Sequence, residues 1–592
     1  MITVIDFETE AIQDYPDYPP RPVGVSILAD GKVEYLAWGH PTGNNCQFEH
    51  AIYRLGREWT SGRTLVFHNA KFDIAVAMRW FGLSFPTKFI DTMILLFLDN
   101  PNRKKLALKE CANDILNLPP VERDEVRDWI LTNVPGVKPS QWGAHICKAP
   151  GELVGKYADG DTTRTLGLYN ALYPKVSETM HSALVREHAL VQELMKMEDR
   201  GVRVDVDKLA VDTERWITTL GAVEARLLTI LGPTDIDSNA SLLESLTRVG
   251  AVDHTRLLKT DKGSVSVAKS SLDRAVTDRD LLNLLRYRNT LSTLLGTFMV
   301  PWGITAGKCK GRLHAQYHQT KGEESGGTRT GRLSSSNPNL QNVPNVQDLI
   351  LPNGFSPLPV MREYLLPEDG HVWLCGDIKA QEPKLTAHFE NGDMMEMYRN
   401  DPNVDVYQSL MQVVENSTGR AIKRKHAKGV FLGLVYCMGK DTLAESLRLP
   451  AAEAMEIKQA VMSAMPDIVS LVNECKERFK KGVPVMTIGG RLIHCEPPMY
   501  VNGGMRSFEY KAINTLIQGS AADQTKQAII YTGKHSKYPI LTSVHDELDM
   551  SVPEDEVQNT KEILSAAINT LACDVQMTMS FFSGNNWAEA CK

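Results

Sequence analysis

The sequence predicts a multidomain chain, α/β at its N-terminal end and α+β further on, from three observations. Its 592 residues exceed what one hydrophobic core normally supports, so two or more domains are expected. Residues 1–175 mix short β-rich runs with helical stretches, and a long helical pattern follows. In the C-terminal half, a basic helix lies between two apolar runs that each end in an acid.

Ile2 to Phe7 reads as a short strand, and Asp6 and Glu8, two apart, project from one of its faces. TLVFHNAKFDIAVAMRW follows as a strand running into a helix, with Asn69 near the helix start and Asp73 in its first turns. GELVGKYADGDTTRTLGLYNAL reads as a helix with Tyr157 and Asp161 on one face and Gly160 as a weak point. Four acids thus sit on three elements. Clustered carboxylates repel one another strongly unless a cation compensates them, so the set points to divalent metal.

From about Ser182 to Val300, apolar residues at three- and four-residue spacing with charged opposite faces suggest a helical arm. The polar break KTDKGSVSVAKSS, with its lysines, suits phosphate contact. GTRTGRLSSSNPNLQNVP reads as a folded loop by its Gly, Ser, Asn and Pro content. Its Arg332, Gln341 and Asn342 can grip a backbone or a groove edge.

VWLCGD then ends a strand on Asp377, and ILTSVHDELDMSV carries Asp546 at an apparent hairpin turn. Between them RKHAKGVFLGLVY reads as a helix on which Arg424, Lys428, Leu432 and Tyr436 recur every fourth residue. Each step overshoots a turn by about 40°, so the four form one sloping stripe about 18 Å long, basic at its N-terminal end and aromatic at the other. That is roughly the reach from a triphosphate to a base. Arg forks onto phosphate oxygens and Lys acts as a point charge, so the stripe suits a nucleoside triphosphate laid lengthwise. Read alone the stripe is more readily a solvated basic face over an apolar core face, and the flanking acids decide for the nucleotide.

A formal charge of −7 argues against a uniformly basic nucleic-acid coat but allows local grooves such as RAIKRKHAK. The ten cysteines form no CxxC pair, so neither a zinc knuckle nor a disulfide framework is indicated, and a reducing compartment is expected. No apolar run reaches the roughly 18 residues of a membrane span, and MITVIDFETE shows no leader; the expected location is cytoplasmic, that of the host if viral.

The ordered DxE, NxxxD and YxxxD pattern over residues 1–175, with FIDTM and its Asp91 between, resembles the proofreading 3′–5′ exonucleases of the DEDD type, Tyr subclass. The resemblance implies a ribonuclease H-like fold in which Asp6, Glu8, Asp73 and Asp161 hold two divalent ions and Tyr157 orients the attacking water. TGRLSSSNPNLQNVP is similar to a signature of family A DNA polymerases, the family of bacterial DNA polymerase I, and the likeness continues in order through GDIKAQEPK, RKHAKGVFLGLVY, INTLIQGSAAD, VHDE and SGNNW.

That second resemblance implies a right hand of palm, fingers and thumb. Asp377 and Asp546 would hold two Mg²⁺ ions, with Mn²⁺ as a substitute, and Lys428 would neutralise developing charge and donate a proton to the leaving group. Arg424, Leu432 and Tyr436 would line the nucleotide, and Glu382 would stand where a ribose 2′-OH must fit, favouring DNA over RNA synthesis. Asn514, Gln518 and His545, with Arg332, Gln341 and Asn342, would touch DNA.

The implied divisions are exonuclease 1–180, thumb 181–311, first palm part 312–388, fingers and the DNA-contacting helix 389–534, and second palm part 535–592. Primer-template DNA and dNTPs are the implied partners, with a helicase, primase or single-strand-binding protein as candidates, in a phage-type replicase that has no 5′ nuclease domain. Leu432, Tyr407 and Tyr510 depart from the residues usual in the family, as do Ile378, Lys379 and Pro383 within the first catalytic motif. The alternative reading is an exonuclease whose C-terminal part only clamps DNA.

Overall fold

The computed structural model describes residues 1–591 except 260–262, 264, 321–327, 346–348, 448 and 502–503. Lys262, in the polar break at 259–271, therefore lies outside the described residues.

The N-terminal unit is built on a five-stranded sheet in the order β3-β2-β1-β4-β5: β1 Ile2–Thr9, β2 Pro22–Ala29, β3 Lys32–Ala37, β4 Thr64–Phe67 and β5 Phe89–Asp91. Strand β1 is central, antiparallel to β2 and parallel to β4. One of its faces buries Ile5 and Phe7 against Val25, Ile27 and Phe81. The other buries Val4 with Leu28 and Val66 beneath Leu166 and Tyr169 of the helix Gly151–Thr179. Because side chains alternate along a strand, Asp6 and Glu8 share this second face.

That helix runs unbroken through Gly160. A Cβ there would lie 2.1 Å from Glu122 Oε1, so the glycine admits the Glu122–Arg164 ion pair that crosses the helix surface.

The helix His181–Arg200 does not belong to a projecting arm, although its pattern groups it with one. Leu190, Leu194 and Met197 pack into the C-terminal core, and Ala183, Leu184 and Val191 into the N-terminal one. Its Glu187 receives both bonds of the buried Lys526 ammonium at 2.8 Å, and its Arg186 lies 3.0 Å from the buried Asp523. Buried charges persist only when paired in this way. The arm proper begins with Val206–Leu231, which packs on Arg279–Thr293 through Trp216, Val223, Leu227, Leu285 and Leu291.

The C-terminal unit holds a second, antiparallel sheet in the order β7-β8-β6-β9: β6 His371–Ile378, β7 Ile540–Val544, β8 Glu547–Pro553 and β9 Met579–Gly584. Leu374, Leu548 and Met550 join Leu564 of the helix Val557–Ala567 in its core. A block of helices from Asp393–Asn400 to Pro466–Lys480 connects β6 to the long helix Ala512–His535. No helix among the described residues is long and apolar enough to cross a membrane.

Candidate active sites

In the N-terminal unit, β1 and the helix Gly151–Thr179 bring Asp6, Glu8 and Asp161 together, with one oxygen of each within 4.8 Å of the others. Asp73 completes the set from the helix Ala70–Phe81, where its Oδ1 accepts the Phe7 N–H at 3.1 Å. That helix starts on Asn69 at φ 69°, held by Asp91, whose two oxygens accept the Asn69 and Ala70 N–H groups at 2.9 Å. All four predicted acids therefore converge. Burial pushes all four carboxyls up, and repulsion among them adds to it at Asp6, which reaches about 8, and at Glu8 and Asp73, well above the carboxylate range, while Lys109 and Arg164 oppose the rise at Asp161. Burial and the neighbouring acids likewise raise the Tyr157 phenol, which stays a neutral hydroxyl.

The donor set fits divalent metal. Asp161 Oδ1 is buried without a hydrogen-bond partner, and the cluster is all carboxylate oxygen, the ligand type of hard cations. Sequence reasoning missed the cations around it. Lys109, from the helix Leu108–Leu116, donates to Asp161 Oδ2 and stands 4.0 Å from the centre of the Tyr157 ring. Arg164 lies 3.6 Å from Asp161 Oδ1 while paired to Glu122. No local pattern could have found Lys109, since its partner is 52 residues away.

In the C-terminal unit, Asp377 ends β6 and pairs with Glu547 across to β8. His545 and Asp546 form the two-residue turn between β7 and β8. His545 adopts φ 57°, a left-handed conformation that costs a non-glycine residue about 1–3 kcal/mol, and it is exposed. The Ile378 N–H donates to Asp546 O at 3.1 Å, so the turn lies against the end of β6. Burial, then Asp377, then Glu382 push the Asp546 carboxyl up to about 6. Two acids that repel in this way again suit a cation. Glu547, though next in sequence, is held instead by the Trp587 indole N–H at 2.9 Å, which gives the SGNNW ending a structural partner.

Above the acids, four chain segments meet on Glu382, in the first turn of the helix Gln381–Glu390. Its Oε1 accepts from Arg332 at 2.6 Å and its Oε2 from the Tyr436 hydroxyl, which in turn hydrogen-bonds Gln518. Tyr436 is the C-cap of the helix Arg424–Val435, whose exposed to half-buried stripe carries Arg424, Lys428 and Leu432 as the four-residue spacing predicts. Arg424 pairs with Asp405 at 2.6 Å and lies 5.2 Å above the ring of Tyr407. Leu432 packs on the core. Tyr407 is buried edge-on against Phe431, so this departure fills core space beneath Arg424.

The remaining predicted contacts are spread out. Gln341 donates to Ser543 O at 3.1 Å and lines a small pocket with Arg332 and His545. Asn342 is exposed and faces a groove shared with Lys308, His314 and the N-terminal loop Gln13–Asp17. Asn514 Oδ1 is buried without a hydrogen-bond partner. Tyr510 accepts from Arg506 at 3.1 Å, so a guanidinium reaches this position from four residues earlier. Sequence reasoning also missed Arg491, which bonds Asp523 at 2.6 Å and donates to Thr330 O at 2.8 Å and Gly519 O at 2.7 Å, tying the Arg332 loop to the long helix.

The chain thus holds one acid cluster beside a tyrosine and a second acid pair next to Glu382, which the Tyr436 hydroxyl links to the basic helix. The 3′–5′ exonuclease profile matches residues 2–177, and that of DNA polymerase family A matches residues 206–589. The chain therefore belongs to DNA polymerase family A and carries a 3′–5′ exonuclease domain: it is a DNA-directed DNA polymerase. It is 26% identical to the DNA polymerase DpoZ of Acinetobacter phage SH-Ab 15497, covering 94% of this chain and 92% of the relative. It is 28% identical to the DNA-directed DNA polymerase of Pseudomonas phage M6, over 74% and 72% respectively. With DNA polymerase I of Bacillus subtilis it shares 26% identity, over 99% of this chain and 63% of that longer protein. The POL domain of Pol1 from M. smegmatis, solved with DNA primer-template and dNTP, has the same fold, with a TM-score of 0.77 at 19% identity over 99% of this chain and 95% of that one.

Proposed function

We propose that this chain replicates DNA by adding deoxynucleotides to a primer 3′ end at Asp377 and Asp546, and removes misincorporated nucleotides at Asp6, Glu8, Asp73 and Asp161. The observation that carries the first half is the meeting of Arg332 and Tyr436 on Glu382 beside the two acids, with Gln518 on the Tyr436 hydroxyl. This joins the acid pair, by way of Tyr436, to the basic stripe of Arg424 and Lys428. Mg²⁺ is the proposed ion at both centres, with Mn²⁺ as a substitute; when bound it activates the attacking oxygen and stabilises the leaving one. Residues 181–311 are read as thumb, with the first helix, His181–Arg200, seated between the two cores and the projecting part starting at Val206, 312–388 and 535–592 as palm, and 389–534 as fingers with the DNA-contacting helix.

In this reading Arg424 and Lys428 bind the triphosphate, and Lys428 gives its proton to the departing pyrophosphate. Leu432 and Tyr436 flank the sugar and base, and Glu382, fixed by two donors, blocks a ribose 2′-OH. Arg332, Gln341, Asn342, Asn514, Gln518 and His545 hold primer and template. At the other centre, Tyr157 offers its hydroxyl to the attacking water. The same reading places the enzyme in the cytoplasm of a host cell, with a helicase, primase or single-strand-binding protein as partner.

The test is extension of a labelled primer-template with Mg²⁺, comparing four dNTPs, four rNTPs and no nucleotide. Growth with dNTPs and shortening without them is expected. Shortening under every condition would reduce the C-terminal unit to a clamp, and equal growth with rNTPs would overturn the role of Glu382.

A further inference from the structure

Lys109 is the one cation among the described residues that both bonds a member of the exonuclease cluster and caps its tyrosine. It comes from the first turn of Leu108–Leu116, an element that none of the matched motifs includes. Its side chain is 12% exposed, so the ammonium is largely withdrawn from solvent, and it donates to Asp161 Oδ2. The other oxygen, Oδ1, is buried with no hydrogen-bond donor, and Arg164 stands off from it at 3.6 Å. The same ammonium lies 4.0 Å from the ring centre of Tyr157, within the range of a cation–π contact. Trp142 packs edge-on against that ring, at 6.2 Å between centres.

From this geometry we infer that Lys109 is a positioning residue of the exonuclease centre. It engages Oδ2 so that Oδ1 of Asp161 is the oxygen turned to the metal, and it holds the Tyr157 ring in place through its face. The inference rests on reading this cluster as a metal-dependent exonuclease, and it extends that reading to a residue outside the four acids.

A counter-ion and a positioning residue make opposite predictions. A lysine that only neutralises the acids competes with metal, so removing it should tighten metal binding. A lysine that fixes the ligand acts as a metal ligand's hydrogen-bonding partner does, and losing such partners typically weakens affinity or activity about 10–100-fold.

The experiment titrates Mn²⁺ calorimetrically into the full chain carrying Asp377→Asn and Asp546→Asn, with and without Lys109→Met, so that heat arises from the exonuclease cluster. The expected result is about 10–100-fold weaker Mn²⁺ binding in the Lys109→Met chain, with Lys109→Arg restoring most of it. Unchanged or tighter binding overturns the proposal. Primer extension by Lys109→Met in the otherwise unaltered chain reports folding; should that variant fail to fold, the same titration on Lys109→Gln decides by the same criterion. If the cluster is not an exonuclease centre at all, the parent chain shows no Mn²⁺ binding that Asp6→Asn abolishes and no 3′ degradation, an outcome distinct from the failure of Lys109 alone.

Discussion

The two acid clusters of this chain solve the same electrostatic problem differently. The N-terminal acids lie inside one domain, on a central strand and two helices packed against it, with Lys109 and Arg164 close by. The C-terminal pair lies at a strand end and a turn tip, half-buried, and the groups that meet beside it come from four distant segments joined through Glu382 and Tyr436. The first site is set by a single sheet and the two helices packed on it. The second exists only once the loop at Arg332, the basic helix and the long helix Ala512–His535 are all seated. Helix His181–Arg200, with Glu187 bonded to Lys526 and Arg186 beside Asp523, joins the two units through buried charge.

That separation is most directly broken at the acids proposed to hold metal. Asp546→Ala should lower primer extension at least about 10³-fold, because metal stabilisation of the transition state is worth several kcal/mol, while 3′ degradation persists. Retained extension in a rapid-quench assay would reject the site. Asp6→Ala with Glu8→Ala should do the reverse, with a loss of similar size confined to degradation of a single-stranded labelled oligonucleotide.

Within the polymerase centre, Lys428→Ala should cost about 10²–10⁴-fold in the rate of nucleotide addition, the usual range for a positioned proton donor. Single-turnover kinetics at saturating dNTP would show it in the rate rather than in binding alone. Glu382→Ala leaves Arg332 and Tyr436 without their shared acceptor, so a roughly tenfold fall in dNTP kcat/KM is expected, about the worth of one or two lost hydrogen bonds. Ribonucleotide incorporation should rise in the same assay, and an unchanged rNTP:dNTP ratio would remove Glu382 from sugar selection.

The smallest effect is on stability. The unfolded chain releases the Asp6 proton near 3.8, whereas the fold holds it to about 8. The folded state therefore binds more protons between these values, and its metal-free stability should fall as pH rises through that window. In EDTA, Tm is expected to drop by a few degrees between pH 5 and pH 8, by the scale on which about 1 kcal/mol moves Tm. Mg²⁺ should restore most of it at pH 8. A metal-free Tm that rises with pH would mean the cluster is not strained as its burial indicates.

The sequence by itself determined the parts whose chemistry is local. Alternation along Ile2–Thr9 put Asp6 and Glu8 on one face, four-residue spacing put Arg424, Lys428, Leu432 and Tyr436 on one stripe, and ordered motifs identified both domains. It did not show what Gly160 makes room for, because the space a Glu122–Arg164 crossing requires is not written in the helix that provides it. It assigned His181–Arg200 to an arm, because amphipathic spacing reports that a face is buried and not against what. Only the tertiary structure decided that Arg332 grips Glu382, that Glu547 turns to Trp587, and that Lys109 stands over Tyr157. Such contacts join residues tens of positions apart, and their geometry is set by how whole elements pack, so no periodicity along the chain encodes them.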